Sequence, residues 1–271
     1  MSEMSGMSNK VSNNKVAMAV AAHPDDIEFM MAGTLILLGQ QGYELHYMTI
    51  ATGSCGTSTL SRDEIVKIRT GEARAAAESI GAGYHAPLVD DLEIFYTQPL
   101  IRKLGAMVRA VKPQILLLPS PQDYMEDHMT SSRLMVTAAF ARNMKNYITD
   151  PPVDFIEGDM CIYHALPMGL QDQLRRPVLP DFCVDVTGVM PQKRDMLLCH
   201  QSQKQWLDES QGHDNYLHLM EDMMKAVGKV SGRFQYAEGW RRHLHLGFGP
   251  PDFDPLGGAL SEYITPTHGG Q

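Results

Sequence analysis

The sequence predicts an α/β fold in which a mostly parallel sheet is covered by helices on both faces. Three observations predict it. Between Val16 and Lys145, short apolar runs alternate four times with amphipathic stretches. Glycine and proline residues stand at the boundaries between them. No long linker or internal repeat divides the chain. Such runs are typical of buried parallel strands. We therefore expect one domain over residues 16–247, with a disordered leader over 1–15 and a surface tail over 248–271.

The first element is a strand over Val16–Ala22 that ends at the sequence His23-Pro24-Asp25-Asp26, because proline cannot continue strand pairing. Asp26 is expected to cap the helix that begins after it. The next elements are predicted in chain order as a strand at 44–50, a helix at 61–80 opened by a capping box, a strand at 84–89, a helix at 99–111, a strand at 114–118 and a helix at 129–145. Beyond Pro151 the pattern is less regular, and the expected elements are strands at 160–165 and 182–186 and helices at 190–207 and 215–227.

Net charge, cysteine spacing and absent motifs disfavour several classes of function. The formal net charge of −9 disfavours nucleic acid or an anionic membrane as partner. No apolar run approaches the roughly 20 residues that span a bilayer, and the polar amino terminus has no apolar signal segment. The four cysteines are widely spaced, which predicts reduced thiols and a cytoplasmic location, with self-association left open. The chain also contains neither G-x-G-x-x-G nor G-x-S-x-G, which disfavours dinucleotide-dependent redox chemistry and a serine hydrolase.

Metal-competent side chains follow two predicted strands. His23, Asp25 and Asp26 come directly after the first strand, and His128 follows the strand at 114–118. Since the carboxyl ends of parallel strands share one edge of a sheet, these side chains are expected to lie together. His23, Asp26 and His128 would supply the three protein ligands of a catalytic zinc site. The alternative interpretation is an ordinary turn followed by a capped helix.

A metal at this edge would make a hydrolase possible. Bound water becomes acidic enough to ionise near neutral pH and can then attack a carbonyl carbon. Asp25, adjacent to a ligand but pointing differently, would accept the proton of the water and return it to the leaving nitrogen.

Several motifs resemble those of one known family. The segment from Ala22 to Glu28, AHPDDIE, resembles the signature of the LmbE-like family, the N-acetylglucosaminyl-phosphatidylinositol de-N-acetylase superfamily. Further matches are the helix start Ala32-Gly33-Thr34-Leu35, the loop Thr52-Gly53 with Gly56, Arg69 with Glu72, Asp127-His128, His200-Gln201-Ser202-Gln203 and Ala237-Glu238-Gly239. The matches span roughly residues 16–245 and are strongest in the first half.

The resemblance implies a Rossmann-like fold and a zinc-dependent hydrolase that removes an acetyl group from an N-acetylglucosamine-type aminosugar conjugate. It assigns His23, Asp26 and His128 as zinc ligands and Asp25 as general base. By the same resemblance Arg69, His200 and Glu238 become candidates for substrate binding, although Arg69 with Glu72 is also an ordinary helix pair. Tyr124 is a further candidate because of its place in the loop before His128.

The chain departs from the family at Met125, where the family's HPDH loop has its first histidine. Methionine can donate neither a proton nor a hydrogen bond. Tyr124 and His200 are the candidates to replace the missing donor. Two alternative functions therefore stay open, namely a metal-dependent hydratase or lyase on the same scaffold and a non-catalytic sugar-binding protein.

The remaining motifs favour structural explanations. His243-x-His245 lacks an acidic or third imidazole partner in the sequence, and Asp252-x-Asp254 is typical of a solvated loop. Cys55 lies on the expected active edge without an evident base beside it.

Overall fold

The structure is a computed structural model that describes residues 15–204 and 215–267. The predicted leader falls outside the described residues except for Lys15. The last four residues of the predicted tail and the end of the helix predicted at 190–207 also lie outside them.

A single eight-stranded sheet organises the described part of the chain, in the order β3-β2-β1-β4-β5-β7-β6-β8. The strands in chain order are β1 (Val16–Ala21), β2 (Glu44–Thr49), β3 (Gly83–His85), β4 (Ile115–Leu118), β5 (Cys161–Ala165), β6 (Phe182–Asp185), β7 (Ala237–Arg242) and β8 (Ile264–Pro266). Neighbouring strands from β3 to β5 pair in parallel, whereas β7 is antiparallel to both β5 and β6, and β8 is antiparallel to β6. The predicted mostly parallel sheet is therefore confirmed, with an antiparallel extension at one side.

Helices cover both faces of the sheet. They are α1 (Asp26–Met30), α2 (Ala32–Gln40), α3 (Arg62–Ser79), α4 (Gln98–Val111), α5 (Glu126–Phe140), α6 (Met190–Leu198), α7 (Asn215–Ser231) and α8 (Pro255–Ala259). None of the helices within 15–204 and 215–267 is long and apolar enough to cross a membrane.

Strand β1 shows how the two faces are divided, because successive side chains of a strand point to opposite sides. Ala17, Ala19 and Ala21 pack with residues of α2, α3, α6 and α7, whereas Met18 and Val20 pack with residues of α4 and α5. All five side chains are fully buried. The continuous apolar run that predicted a buried strand is thus explained by two hydrophobic cores, one on each face.

Several boundaries differ from the prediction. The capping box of Ser61 and Glu64 is present at the start of α3, as expected. The strand predicted at 84–89 is shorter, and only an isolated bridge at Val89 continues towards Ala51. Helix α5 begins at Glu126, three residues before the predicted start, and this places His128 in its first turn.

The second half of the sheet contains two strands that the sequence pattern did not indicate, β7 and β8. Strand β7 has the sequence AEGWRR, whose polar residues hide the alternation that marks a strand. In the segment after Gly247, Leu256 and Leu260 are buried, and β8 pairs with β6.

Candidate metal centre and active site

The turn after β1 holds three polar side chains in a fixed arrangement. The backbone amide of His23 donates to Asp26 Oδ2 at 2.8 Å, and the amide of Asp26 reaches the carbonyl of His23 at 3.3 Å. Asp25 has a φ of 102°, in the left-handed region that side-chain-bearing residues rarely adopt. Asp25 rather than Asp26 is the residue before the first turn of α1, and its side chain makes no capping bond. The predicted helix cap at Asp26 is therefore wrong, because the carboxylate of Asp26 faces the imidazoles of His23 and His128 instead.

His23, Asp26 and His128 converge at the carboxyl edge of β1 and β4. Each offers one ligand atom such that all three atoms lie within 4.8 Å of one another. Asp26 Oδ2 lies 3.6 Å from His23 Nδ1, and Asp26 Oδ1 lies 3.4 Å from His128 Nε2. All three residues are buried. Two imidazoles and a carboxylate at this separation form a donor set that suits zinc.

A second carboxylate stands behind each imidazole. His23 Nε2 lies 3.0 Å from Asp127 Oδ2, which also accepts the amide of Leu92, and His128 Nδ1 lies 3.1 Å from Asp123 Oδ1. Because an ionised carboxylate only accepts, a neutral His23 carries its one proton on Nε2, and the lone pair of its Nδ1 then lies on the side of Asp26. Carboxylates in this position orient metal-binding histidines and increase their basicity.

The electrostatics of the cluster indicate a site built for a cation. Burial lowers the pKa of His23, but the neighbouring Asp127 and Asp26 overcome it and raise that pKa to about 9. Burial also opposes the charged form of His128, yet Asp26 and Asp123 hold its pKa well above the usual value. The same imidazoles hold the pKa of Asp26 well below its usual range against the effect of burial. Without a metal these carboxylates draw protons onto the imidazoles, and a divalent cation would take over that positive charge.

Asp25 lies beside the three candidate metal ligands and contacts two residues of its own, Tyr216 and Arg69. Its Oδ2 accepts the hydroxyl of Tyr216 at 2.7 Å and lies 3.6 Å from Arg69 Nη2. Burial raises the pKa of Asp25, while the guanidinium of Arg69 opposes the rise. A carboxylate made more basic by burial and held in one orientation is suited to accept a proton.

Arg69 is fixed by two backbone carbonyls rather than by Glu72. Its guanidinium donates to Pro24 at 2.6 Å and to Gly53 at 3.3 Å, and its Nε has no partner among the described residues. A Cβ on Gly53 would lie 2.6 Å from Arg69 Cδ, and one on Gly56 would lie 2.4 Å from its Nη1. The glycines of the loop after β2 are therefore required for this loop to close over Arg69.

The three candidate metal ligands, Asp25 and Arg69 line one cavity of about 410 Å³. Tyr124 and Met125 form part of its wall, and the ring of Tyr124 packs edge-on against His128 with 5.6 Å between the ring centroids. Burial, together with the nearby Asp26, raises the pKa of Tyr124 to about 12, so its hydroxyl remains a hydrogen-bond donor at neutral pH. The remaining lining residues are Phe29, Cys55, Asp91, Leu92, Met168, Gln203, Tyr216 and Leu219.

Two of the predicted substrate-binding residues do not line this cavity. His200 is fully buried with its Nε2 3.4 Å from Glu28 Oε1. Glu238 is also fully buried and accepts the amides of Gly33 at 2.8 Å and Thr34 at 2.7 Å, as well as the ammonium of Lys193. The hypothesis that they bind substrate directly is not supported by this placement. Glu238 instead fixes the start of α2, where a carboxylate satisfies free helix amides.

Replacement of Glu238 by glutamine should therefore affect stability rather than substrate affinity. The change leaves the buried ammonium of Lys193 without its carboxylate, which commonly costs about 3–5 kcal/mol. Urea unfolding should show this loss, while KM of the folded fraction stays unchanged. The matched control is Glu78→Gln at an exposed position of α3. A raised KM with unaltered unfolding would restore the substrate-binding role.

Replacement of Asp127 by asparagine should weaken metal binding without abolishing it. Asparagine cannot hold the protonated Nε2 of His23 as firmly, and loss of such a partner typically costs 10–100-fold in metal affinity, here expected at about 10-fold or more. Competition for zinc with a chelator of known affinity would measure the change. An affinity equal to that of the unaltered protein would show that Asp127 does not support His23.

Sequence reasoning missed four residues that contribute to the site. The Asp127-His128 match includes Asp127 without assigning it a role, and Asp123 belongs to none of the matched motifs, although the spacing of the two at one helix start was a usable signal. Tyr216 and Gln203 come from the irregular second half, and only the H-x-S-Q match pointed towards Gln203. Of the remaining residues, Asp254 caps α8 away from the site, while Cys55 is exposed and lines the cavity.

The fold and the site together define an α/β protein with a His-Asp-His group of metal-binding type at the carboxyl edge of a mostly parallel sheet. Residues 18–139 match the PIG-L family, described as GlcNAc-PI de-N-acetylase. Together with the relatives described next, this match confirms the resemblance of the chain to the LmbE-like superfamily.

Individual relatives include two kinds of enzyme. The chain is 27% identical over 237 residues to a diacetylchitobiose deacetylase of Thermococcus kodakarensis, with 84% of this chain and 82% of the relative covered. It is 26% identical over 198 residues to a 4-oxalmesaconate hydratase of Pseudomonas putida, with 70% and 74% covered. The solved structure of an N,N'-diacetylchitobiose deacetylase of Pyrococcus horikoshii superposes with a TM-score of 0.71 over 90% of this chain and 89% of that one, at 22% identity.

Proposed function

We propose that the protein is a zinc-dependent hydrolase that removes an acetyl group from an N-acetylglucosamine-type aminosugar conjugate. The observation that carries the proposal is the set of His23, Asp26 and His128 with their ligand atoms within 4.8 Å, beside an Asp25 that is not needed as a ligand. A metal site and a separate base at the wall of one cavity are what amide hydrolysis by water requires.

His23, Asp26 and His128 would hold the zinc ion, and Asp127 and Asp123 would orient the two imidazoles. When bound, the ion supplies Lewis-acid activation of water and of the amide carbonyl.

The chain's own residues account for the proton transfers. Asp25 takes a proton from the attacking water as the carbon–oxygen bond forms, and returns it to the nitrogen as the carbon–nitrogen bond breaks, which yields acetate and a free amine. The hydroxyl of Tyr216 and the guanidinium of Arg69 fix the orientation of Asp25 for both transfers. Tyr124 is the neutral donor at the cavity wall that can bond the oxyanion of the tetrahedral intermediate.

The cavity suits a sugar ring with a small acyl group. Phe29, Leu92, Met168 and Leu219 supply apolar surface, and Arg69 and Gln203 add polar groups to the same lining. A mixture of apolar walls and a few placed polar groups is typical of small-molecule sites. The similarity to a diacetylchitobiose deacetylase over more than four fifths of both chains supports an N-acetylated aminosugar as substrate.

A hydratase is the second candidate, because Met125 removes the family's histidine donor and one relative is a 4-oxalmesaconate hydratase. Hydration of an unsaturated acid also uses activated water and a base, but it forms no amine. A non-catalytic sugar-binding protein is the third, and would bind metal and sugar without turnover.

Incubation of the zinc-loaded protein with N-acetylated aminosugar conjugates, scored for both free amine and acetate, tests the proposal. Equal release of the two products supports it. Water addition to an unsaturated dicarboxylic acid, without amine release from any conjugate, would favour the hydratase. Binding without any product would favour the non-catalytic alternative.

A further inference from the structure

A second cavity of about 520 Å³ lies next to the candidate active site and shares no lining residue with it. Helix α5 contributes to both, since His128 lines the first cavity and Ser132, one helical turn later on the same helix face, lines the second. Four residues of α-helix advance by about 6 Å. The second cavity is lined by its own set of residues, so its ligand preference is set by side chains other than those of the metal centre.

Two arginines of this cavity form no ion pair with any carboxylate of residues 15–204 and 215–267. Arg133 stacks over the ring of Tyr96 at 5.7 Å, and Arg241 donates only to the amide oxygen of Gln122 among the described residues. Elsewhere in the described part of the chain, Arg62 and Arg194 form ion pairs with carboxylates. In a protein with a net charge of −9, two uncompensated guanidinium groups on one cavity mark a local excess of positive charge.

The remaining polar groups of the cavity add no negative charge. His164 Nδ1 lies 3.0 Å from the carbonyl oxygen of Pro119, and its Nε2 lies 3.0 Å from His243 Nδ1. Burial lowers the pKa of His164 to about 4, with Arg241 and His243 acting in the same direction, and burial also lowers the pKa of His243. The pair is therefore neutral at physiological pH, and the charge of the cavity comes from its arginines.

Apolar surface completes the cavity. Val136 and Pro121 contribute to its lining, as do Tyr96 and Leu244, which are 51% and 62% exposed respectively. The hydroxyl groups of Tyr96 and Thr137 lie 2.8 Å apart and are thus largely satisfied by each other. Guanidinium groups bind carboxylates and phosphates through paired N–H donors, while the apolar groups would contact the body that carries the anion.

We propose that this second cavity binds a small organic oxyanion, a carboxylate or phosphate on a compact apolar body, between Arg133 and Arg241. The proposal is independent of the proposed hydrolase activity, because it concerns residues that the candidate active site does not use.

Benzoate and phenyl phosphate are suitable probes, since they present the two oxyanions on the same ring, and benzyl alcohol is the neutral control. Titration calorimetry on the zinc-loaded protein should show saturable binding of at least one anion and much weaker binding of the alcohol. The anion that binds more tightly identifies the preferred oxyanion. Charge-assisted hydrogen bonds imply that Arg133→Gln or Arg241→Gln lowers the affinity by about 10-fold or more.

The matched control is Arg233→Gln, because Arg233 is also exposed and stacks on an aromatic ring, Phe234, at 5.5 Å, but lines neither cavity. This variant should bind the probe as the unaltered protein does. Modification of arginines with phenylglyoxal, mapped by mass spectrometry, gives a readout that needs no variant, since the probe should protect Arg133 and Arg241 but not Arg233. The proposal is overturned if neither anion binds, if the alcohol binds equally well, or if protection and affinity do not depend on Arg133 and Arg241.

Discussion

Replacement of Asp25 by asparagine should lower turnover by about 10²–10⁴-fold while the protein still binds one zinc ion. Asparagine has the shape of aspartate and can still accept the Tyr216 hydroxyl, but its amide cannot take a proton from water. The proposed metal ligands His23, Asp26 and His128 are unaltered in this variant. The expected result is therefore a loss in kcat with unchanged metal content and little change in KM.

The neighbouring carboxylate should behave in the opposite way. Asp26→Asn and His128→Ala each remove a ligand from the three-residue set and should lose tight metal binding itself, with activity lost as a consequence. Elemental analysis after gel filtration, together with turnover at a fixed zinc concentration, separates the two classes of variant. Tyr216→Phe is the matched control for Asp25, since it removes the hydrogen bond but keeps the base, and its loss of turnover should be smaller. Equal loss of metal in the Asp25 and Asp26 variants would show that the division of roles is wrong.

The first half of the fold could be predicted because each of its elements carries its own local signal. The fully apolar β1 is buried on both faces, and the capping box of Ser61 and Glu64 opens α3. Strand β7 could not be found in this way. Its Glu238 and Gly239 are determined by tertiary partners, namely the amides at the start of α2 and the side chain of Leu166. Local patterns do not record such long-range contacts.

The same distinction explains which parts of the candidate site were predictable. His23, Asp25, Asp26 and His128 follow two adjacent parallel strands, so topology alone brings them to one edge. Tyr216, by contrast, is separated from Asp25 by 191 residues and reaches it from α7 across an antiparallel part of the fold whose strand order the sequence did not indicate. His200 matched a family motif, but the match could not show that its imidazole points into the core towards Glu28.

Replacement of Tyr124 by phenylalanine should lower turnover by about 10²–10³-fold, the usual cost of losing one oxyanion donor. Met125 lines the same cavity but has no donor to offer, and His200 is buried outside it. Tyr124, the residue next to Met125, lines the cavity and keeps its hydroxyl proton at neutral pH. Phenylalanine keeps the ring that packs against His128, and metal content should therefore be unchanged. Kinetics on a confirmed N-acetylated substrate, with metal content measured in parallel, would give the result.

Two further variants decide between this assignment and its alternatives. His200→Ala should alter the chemical step much less than Tyr124→Phe once its effect on folding is corrected for, because its imidazole does not line the cavity. Met125→His introduces the family's donor and should restore much of the turnover lost in Tyr124→Phe, since either donor can stabilise the same oxyanion. Should Tyr124→Phe instead be silent and Met125→His alone raise turnover, no residue of the chain has replaced the missing histidine. A large loss of kcat in His200→Ala with normal unfolding would move the donor role from Tyr124 to the buried imidazole, which would require that the pocket rearranges when substrate binds.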